Sequence, residues 1–262
     1  MDVTRFLRIC AMLLLSHVLA GGVEPTANVN RVPVLVELFT SEGCSSCPPA
    51  DALLMDLDLR QPVAGAEVVA LGEHVDYWNG LGWKDRFSSA DYTQQGDRYA
   101  ARFHLGSVYT PQMVINGRTE FVGNDTSRAA TAIAEAVHRR DTQPGIAIAA
   151  SGNVVEVNIT NAGSYPLDVL LAITESDLST QVGRGENHGR LLRHTAVVRD
   201  LRKIGKTSSG QFAARPQLSL KPDWRHDKLR AVIFLQDPST LEITGAAQVE
   251  ASSGRPSPLP KS

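Results

Sequence analysis

The chain has 262 residues, 42% of them hydrophobic and 21% charged, with a formal net charge of −2. That near-balance excludes the strongly basic surface that a nucleic-acid or anionic-membrane partner would need, and the length favours two domains. There are three cysteines, Cys10, Cys44 and Cys47, too few for a four-thiolate zinc site.

The chain begins MDVTRFLRICAMLLLSHVLAGG, with Arg5 and Arg8 ahead of an apolar stretch from Ile9 to Ala20. Val18 and Ala20 stand at the small-residue positions that signal peptidase reads. This predicts a secretory signal over residues 1–20; the run falls short of the roughly 18 apolar residues a membrane span needs. Export would place the mature protein in the periplasm or outside the cell, where disulfides persist. It would also remove Cys10 and leave Cys44 and Cys47 alone.

After a polar stretch, PVLVELFT reads as a buried strand. From Cys47 to Arg60, Ala50, Leu53, Leu54 and Leu57 fall at helical spacing. AEVVALG reads as a second buried strand. SADYTQQGDRYAARFHLG follows, with Tyr92, Gln95, Tyr99 and Phe103 near one helix face. PQMVINGRTEFVG reads as two short strands around Asn116-Gly117, a dipeptide favoured in type I′ turns. DTSRAATAIAEAVHRR predicts a third helix, capped at Asp125 or Thr126. Beyond RRDTQPG the period changes to two, and residues 145–250 read as short alternating strands, a β-sandwich. The expected division is a signal at 1–20, an α/β domain at 32–141 with an insert at 73–90, a β-sandwich at 145–250 and a Pro/Ser-rich tail at 251–262.

The Cys44–Cys47 pair lies where the first strand meets the first helix. A structural staple is a poor reading, because closing so short a loop removes little chain entropy. Redox chemistry fits better. A thiolate is the nucleophile in disulfide exchange, and a helix N-terminus stabilises it through free N–H groups and the dipole. Cys44 is then the exposed attacker, and Cys47, one turn on and more buried, resolves the mixed disulfide. Pro48 and Pro49 suit the first turn if the helix begins near Cys47, and would kink it if it begins at Cys44. Thr110-Pro111 directly precedes the third strand and could be cis.

The β-α-β-α-β-β-α order, the Cys-x-x-Cys and the Thr-Pro resemble the thioredoxin fold over about residues 32–140. The resemblance implies a cis Pro111 facing the disulfide, with the Thr110 backbone pairing a substrate strand. More closely, ELFTSEGCSSCPPADALL, HVDYWNGLGWKDRFSS, YTPQMVINGR and GENHGRLLRHTAVVR are similar to a family of exported bacterial proteins with a thioredoxin-like domain, catalogued as a domain of unknown function (number 1223). The expected activity is thiol–disulfide exchange. Its partners would be the thiols or disulfides of periplasmic clients and a membrane-bound redox recycling partner, with no cofactor.

Gly43 stands where thioredoxins carry a tryptophan, and Ser45-Ser46 between the cysteines does not set the direction of electron flow. Glu37 occupies the strand position of a thioredoxin's buried acid, with one extra residue in the following loop, and could take the proton from Cys47. The insert holds His74, Asp76, Tyr77, Trp78 and Trp83. It is either a lid over the cysteines, with His74 or Asp76 adjusting their ionisation, or a small satellite core around Trp78, Trp83 and Phe87. A copper-chaperone alternative would bind Cu(I) through Cys44, Cys47 and a histidine, His74 or His104. A non-catalytic binding module is the other alternative. In the C-terminal part, Asn187, His188, Arg190, Arg193, His194 and Arg199 form a basic rim that could dock a partner or the first domain.

Overall fold

The computed structural model describes residues 31–139 and 143–251. The expected signal at 1–20 and the tail after residue 251 lie outside the described residues. β1 (Val32–Thr40) and β2 (Ala66–His74) run parallel, in register from Val32 opposite Ala66 to Thr40 opposite His74. Both are covered on both faces, which explains why they read as unbroken apolar runs. β3 (Gln112–Ile115) lies antiparallel on the other side of β1 and pairs with β4 (Thr119–Val122). Asn116 and Gly117 both have positive φ (47° and 63°), as a type I′ turn requires.

Alternation along β1 divides two cores. Val34, Val36 and Leu38 meet Ala50, Leu53, Leu54 and Leu57 of α1 (Pro48–Arg60), and Ala129, Ile133 and Val137 of α3 (Thr126–His138). Each such leucine contributes about 1.5–3 kcal/mol by burial. Leu35 and Phe39 point to the opposite face, that of α2 (Ala90–Arg102) with its Tyr92 and Tyr99. Ser89 caps α2 by accepting from Asp91 N, and Asp125 caps α3 by accepting from Arg128 N.

The C-terminal half does not stand apart as its own domain. β7 (Asp168–Glu175), β10 (Val197–Lys206), β12 (Leu229–Gln236) and β13 (Ile243–Glu250) extend the first sheet, giving the order β13-β12-β7-β10-β2-β1-β3-β4. The join is short: Val197 opposes Gly72, and Gly72 N donates to Ala196 O at 2.8 Å. Tyr92 reinforces it by donating from its hydroxyl to Val198 O. A second, three-stranded sheet of β5 (Gly145–Ser151), β6 (Val154–Thr160) and β11 (Phe212–Ala214) buries Val155, Val157 and Ile159 against Leu171, Ala231 and Ile233. The described residues pack as one unit, a mixed α/β structure with one large mixed sheet and few helices. The period-two pattern after residue 144 marked β5, β6, β7, β10, β12 and β13, but it missed Leu178–Gln181, Leu191–His194 and β11 and read a strand at 215–220 where only Gln217 forms an isolated bridge. Nor does alternation say which sheet a strand joins.

One element leaves both sheets. β8 (Leu178–Gln181) and β9 (Leu191–His194) pair only with each other. This hairpin departs from the main sheet between β7 and β10, flanked by Asp177 (φ 59°) and Ala196 (φ 47°).

Candidate functional site

Cys44 and Cys47 are joined as a disulfide. The loop after β1 winds into α1 through Cys44 N to Ser41 O, Cys47 N to Cys44 O, and Ala50 N to Cys47 O. Cys47 is the N-cap residue, and Pro48 and Pro49 occupy the first helical positions, where their missing N–H groups cost little. Of the two arrangements open for the prolines, the structure has the one without a kink. Ser45 and Ser46 are exposed, and Ser46 Oγ lies 3.3 Å from Cys44 Sγ.

Cys44 is not the exposed residue its position suggested: neither cysteine has any exposed surface (0% each). The cover comes from distant chain. Asn187, in the tip of the β8–β9 hairpin, donates from Nδ2 to both Glu42 O and Cys44 O at 2.9 Å. Ser45 N donates to Glu186 Oε2 at 3.0 Å. On another side, a Cβ added to Gly43 would stand 3.1 Å from Trp78 Cβ, so Trp78 sits where a larger residue at 43 would have to go. Trp78 Nε1 in turn donates to Thr110 Oγ1 at 2.8 Å. The Thr110–Pro111 bond is cis. Pro111, Ala50 and Leu38 converge on Gly123, which puts the proline beside the first turn of α1.

Behind the cysteine loop lies a buried set of carboxylates and imidazoles. Thr40 Oγ1 donates to Asp51 Oδ1 at 2.8 Å. Trp83 Nε1 donates to Glu42 Oε2 at 2.8 Å, and Glu42 N donates to Asp85 Oδ2. His74 Nδ1 is 2.7 Å from Asp85 Oδ2. His194 Nε2 is 3.3 Å from Glu42 Oε1, and its Nδ1 is 3.9 Å from Asp51 Oδ2. The His74 and His194 rings meet edge to face at 4.9 Å. Burial would raise Asp85, but the adjacent His74 outweighs it and holds the carboxyl at about 2. His74 is pulled up by Asp85, against the effect of its burial. Asp51 is raised by burial, which exceeds the opposing pull of His194 and His74.

The sequence-predicted residues are therefore only partly gathered. Cys44, Cys47, Thr110 and Pro111 surround the start of α1. Glu37 does not join them. It shares the face of Leu35 and Phe39, with the sheet between it and α1. There Tyr99 donates to Glu37 Oε2 at 2.6 Å. Burial, opposed by the Tyr99 bond, raises Glu37 to about 7 and Glu73 well above its ordinary value, the latter reinforced by Glu37 itself. Strand alternation accounts for this: Val36 and Leu38 on either side of Glu37 face α1, so Glu37 faces the other way.

His74 belongs to the buried set, whereas His104 is exposed just beyond α2. Among the described residues no group of three or more His, Cys, Asp or Glu is arranged to hold a metal ion. The insert both packs and reaches the site: Phe87 packs with Leu178 and Val197, while Trp78, Trp83 and Asp85 bond around the cysteine loop. Asp76 instead accepts from Thr93 Oγ1 at 2.6 Å. Of the basic rim, Asn187 and His194 dock on the N-terminal half, Arg190 donates to Asn187 Oδ1, and Arg199 pairs with Glu175 at 3.0 Å.

Glu42, Asp51 and Asp85 escaped the sequence reading. Asp51 left one signal: four residues after Cys47, it lies one helical turn away on the same face.

A family model described as a protein of unknown function, DUF1223, matches residues 35–236. An X-ray crystal structure of a protein from Agrobacterium tumefaciens is similar, with 29% identity and a TM-score of 0.70, over 86% of this chain and 97% of that one. No curated protein matches the chain.

Proposed function

The chain belongs to the DUF1223 family, and we propose that it is an exported thiol–disulfide exchange protein whose N-terminal half is thioredoxin-like. One observation carries the reading: the Cys44–Cys47 disulfide caps the N-terminus of α1 and has Pro111 beside the same turn. Export rests on the signal-like residues 1–20. A thiolate at Cys44 would be held by the free N–H groups and dipole of α1, which favour a thiol pKa below about 7.5.

In the oxidising direction a client thiolate attacks Cys44 Sγ, the Cys44–Cys47 bond breaks, and Cys47 leaves as thiolate. A second client thiolate attacks the client sulfur of the mixed disulfide and releases Cys44. The client loses two electrons to a disulfide, and the cysteine pair becomes a dithiol. The reverse sequence reduces a client disulfide, with Cys44 attacking and Cys47 resolving. A membrane-bound redox partner would restore the starting state. Asp51, rather than Glu37, serves Cys47: it lies one turn away on the same helix, and its raised pKa suits it to give or take the Cys47 proton. The sandwich-like pairing of the three-stranded sheet with β7 and β12 leaves the C-terminal half to orient the partner.

The test is to express Cys47→Ser in the native host and separate mixed disulfides on non-reducing gels. The reading expects dithiothreitol-sensitive adducts through Cys44 that vanish in Cys44→Ser/Cys47→Ser. No adduct, together with no oxidation or reduction of a model dithiol protein by the wild type, overturns it.

A further inference from the structure

We propose that the tip of the β8–β9 hairpin, residues 182–190, is a latch that closes the Cys44–Cys47 disulfide and must lift before any thiol reaches it. This rests on the redox reading of that disulfide for its purpose, though not for its geometry.

The closure is specific. Asn187 is completely buried, and its Nδ2 spends both protons on the carbonyls of Glu42 and Cys44. Its Oδ1 accepts from Arg190 Nη1 at 2.8 Å, so the amide is oriented from within the tip itself. Glu186 accepts from Ser45 N, the main-chain N–H between the two cysteines. One distant loop thus takes two acceptors and one donor of the cysteine loop's backbone, and both sulfurs are left without exposed surface.

The tip is also built as a separable piece. Its strands pair with no other strand. Gly185 and Gly189 take positive φ (75° and 80°), a conformation that favours glycine, and bonds from Gly189 N to Val182 O and Val182 N to Arg190 O close the tip on itself. Its contact with the insert runs through glycines: a Cβ on Gly82 would stand 3.3 Å from Gly185 Cα, and Cβ atoms on Gly185 and Gly183 would stand 3.2 and 3.4 Å from the Trp83 side chain. The base is held differently, by His194 in the buried set and by Thr195 donating to Asp58 Oδ2 at 2.8 Å. The tip can therefore lift while the base stays.

Lifting the tip frees the Glu42 carbonyl, one side of the Cys44 carbonyl and the Ser45 N–H, three neighbouring main-chain groups. That is the pattern an extended polypeptide matches with its own main-chain donors and acceptor. The occupant that displaces the latch is therefore an extended client segment carrying the reacting cysteine.

The test measures the rate at which tris(2-carboxyethyl)phosphine reduces the Cys44–Cys47 disulfide, read by quenched maleimide labelling. Wild type should react at least tenfold more slowly than oxidised glutathione. Asn187→Ala should react at least tenfold faster than wild type, and Glu186→Gln several-fold faster, both with unchanged circular dichroism. Hydrogen exchange at the Ser45 amide of the wild type should show protection that Glu186→Gln removes. Wild-type reduction as fast as that of oxidised glutathione overturns the latch, as do folded variants that react at the wild-type rate. Should Asn187→Ala fail to fold, Glu186→Gln and the wild-type comparison decide. Fast variants with no client adduct in Cys47→Ser and no turnover of a model dithiol protein would sink the exchange function and leave the latch standing; adducts with unaltered phosphine rates would do the reverse.

Discussion

His194 Nε2 stands 3.3 Å from Glu42 Oε1 with both side chains buried, so an imidazole of the C-terminal half is set among the carboxylates behind the cysteine loop. Removing it leaves Glu42 with Trp83 Nε1 as its side-chain donor and takes away the imidazole that stands 3.9 Å from Asp51 Oδ2. His194→Leu should therefore lower unfolding free energy by about 1–3 kcal/mol, the scale for leaving a buried polar group unpaired. Urea denaturation followed by tryptophan fluorescence measures it; a loss below about 1 kcal/mol would show that the contact carries little.

Asp51→Asn separates proton transfer from packing, because the amide keeps the shape and can still meet the Thr40 hydroxyl. The expected result is release of Cys47 slowed by about 10²-fold, the low end of general acid–base contributions. The pH profile is the decisive readout. The wild-type rate of the Cys47 step should bend at a pH above the ordinary aspartate range, and the bend should vanish in the variant while the melting temperature changes little.

Glu37 and Glu73 give stability a definite pH dependence. A carboxyl whose folded pKa lies above its unfolded value binds more protons when folded, so stability falls as pH rises between the two. For Glu37 the window runs from 4.5 to about 7, and over it the loss is about 3 kcal/mol; Glu73 acts in the same direction. Asp85, held at about 2, works oppositely, and its contribution is lost as pH falls from 3.8 toward 2. Glu73→Gln should flatten the loss between pH 5 and 7, measured by melting temperature across a buffer series. An unchanged slope would show that the pair is not what titrates.

Arg230 on β12 meets Asp58 on α1 with two bonds of 2.7 Å, tying the halves together where the sheet joint is short. Arg230→Ala strands a buried carboxylate and should cost about 3 kcal/mol. Arg230→Lys should recover only part of it, because a lysine cannot make the two-pronged contact. Chemical denaturation of the three proteins gives the comparison.

Much of the fold was legible because local chemistry dictated it. The apolar runs of β1 and β2, the helical spacing from Ala50 to Leu57, Asp125 as a cap and Asn116-Gly117 as a turn each follow from a few adjacent residues. The site was legible only around its cysteines. Glu37 misled because its role came from a different protein, whereas its face follows from alternation with Val36 and Leu38 in its own strand. Asp51 carried a signal in its spacing from Cys47, whereas nothing adjacent to Glu42, Asp85 or His194 marks them as neighbours.

By itself the sequence determined the disulfide-forming pair, its place at the start of a helix, the proline beside that helix and six of the strands of the C-terminal half, β5, β6, β7, β10, β12 and β13. Those depend on spacings of a few residues, where chain geometry leaves little choice. Only the tertiary structure decided that four later strands would extend the first sheet, that His194 would enter the buried carboxylates, and that Asn187 would close over Cys44. Such long-range contacts are chosen by which surfaces bury one another and which polar groups must find partners once buried. No local pattern encodes that choice.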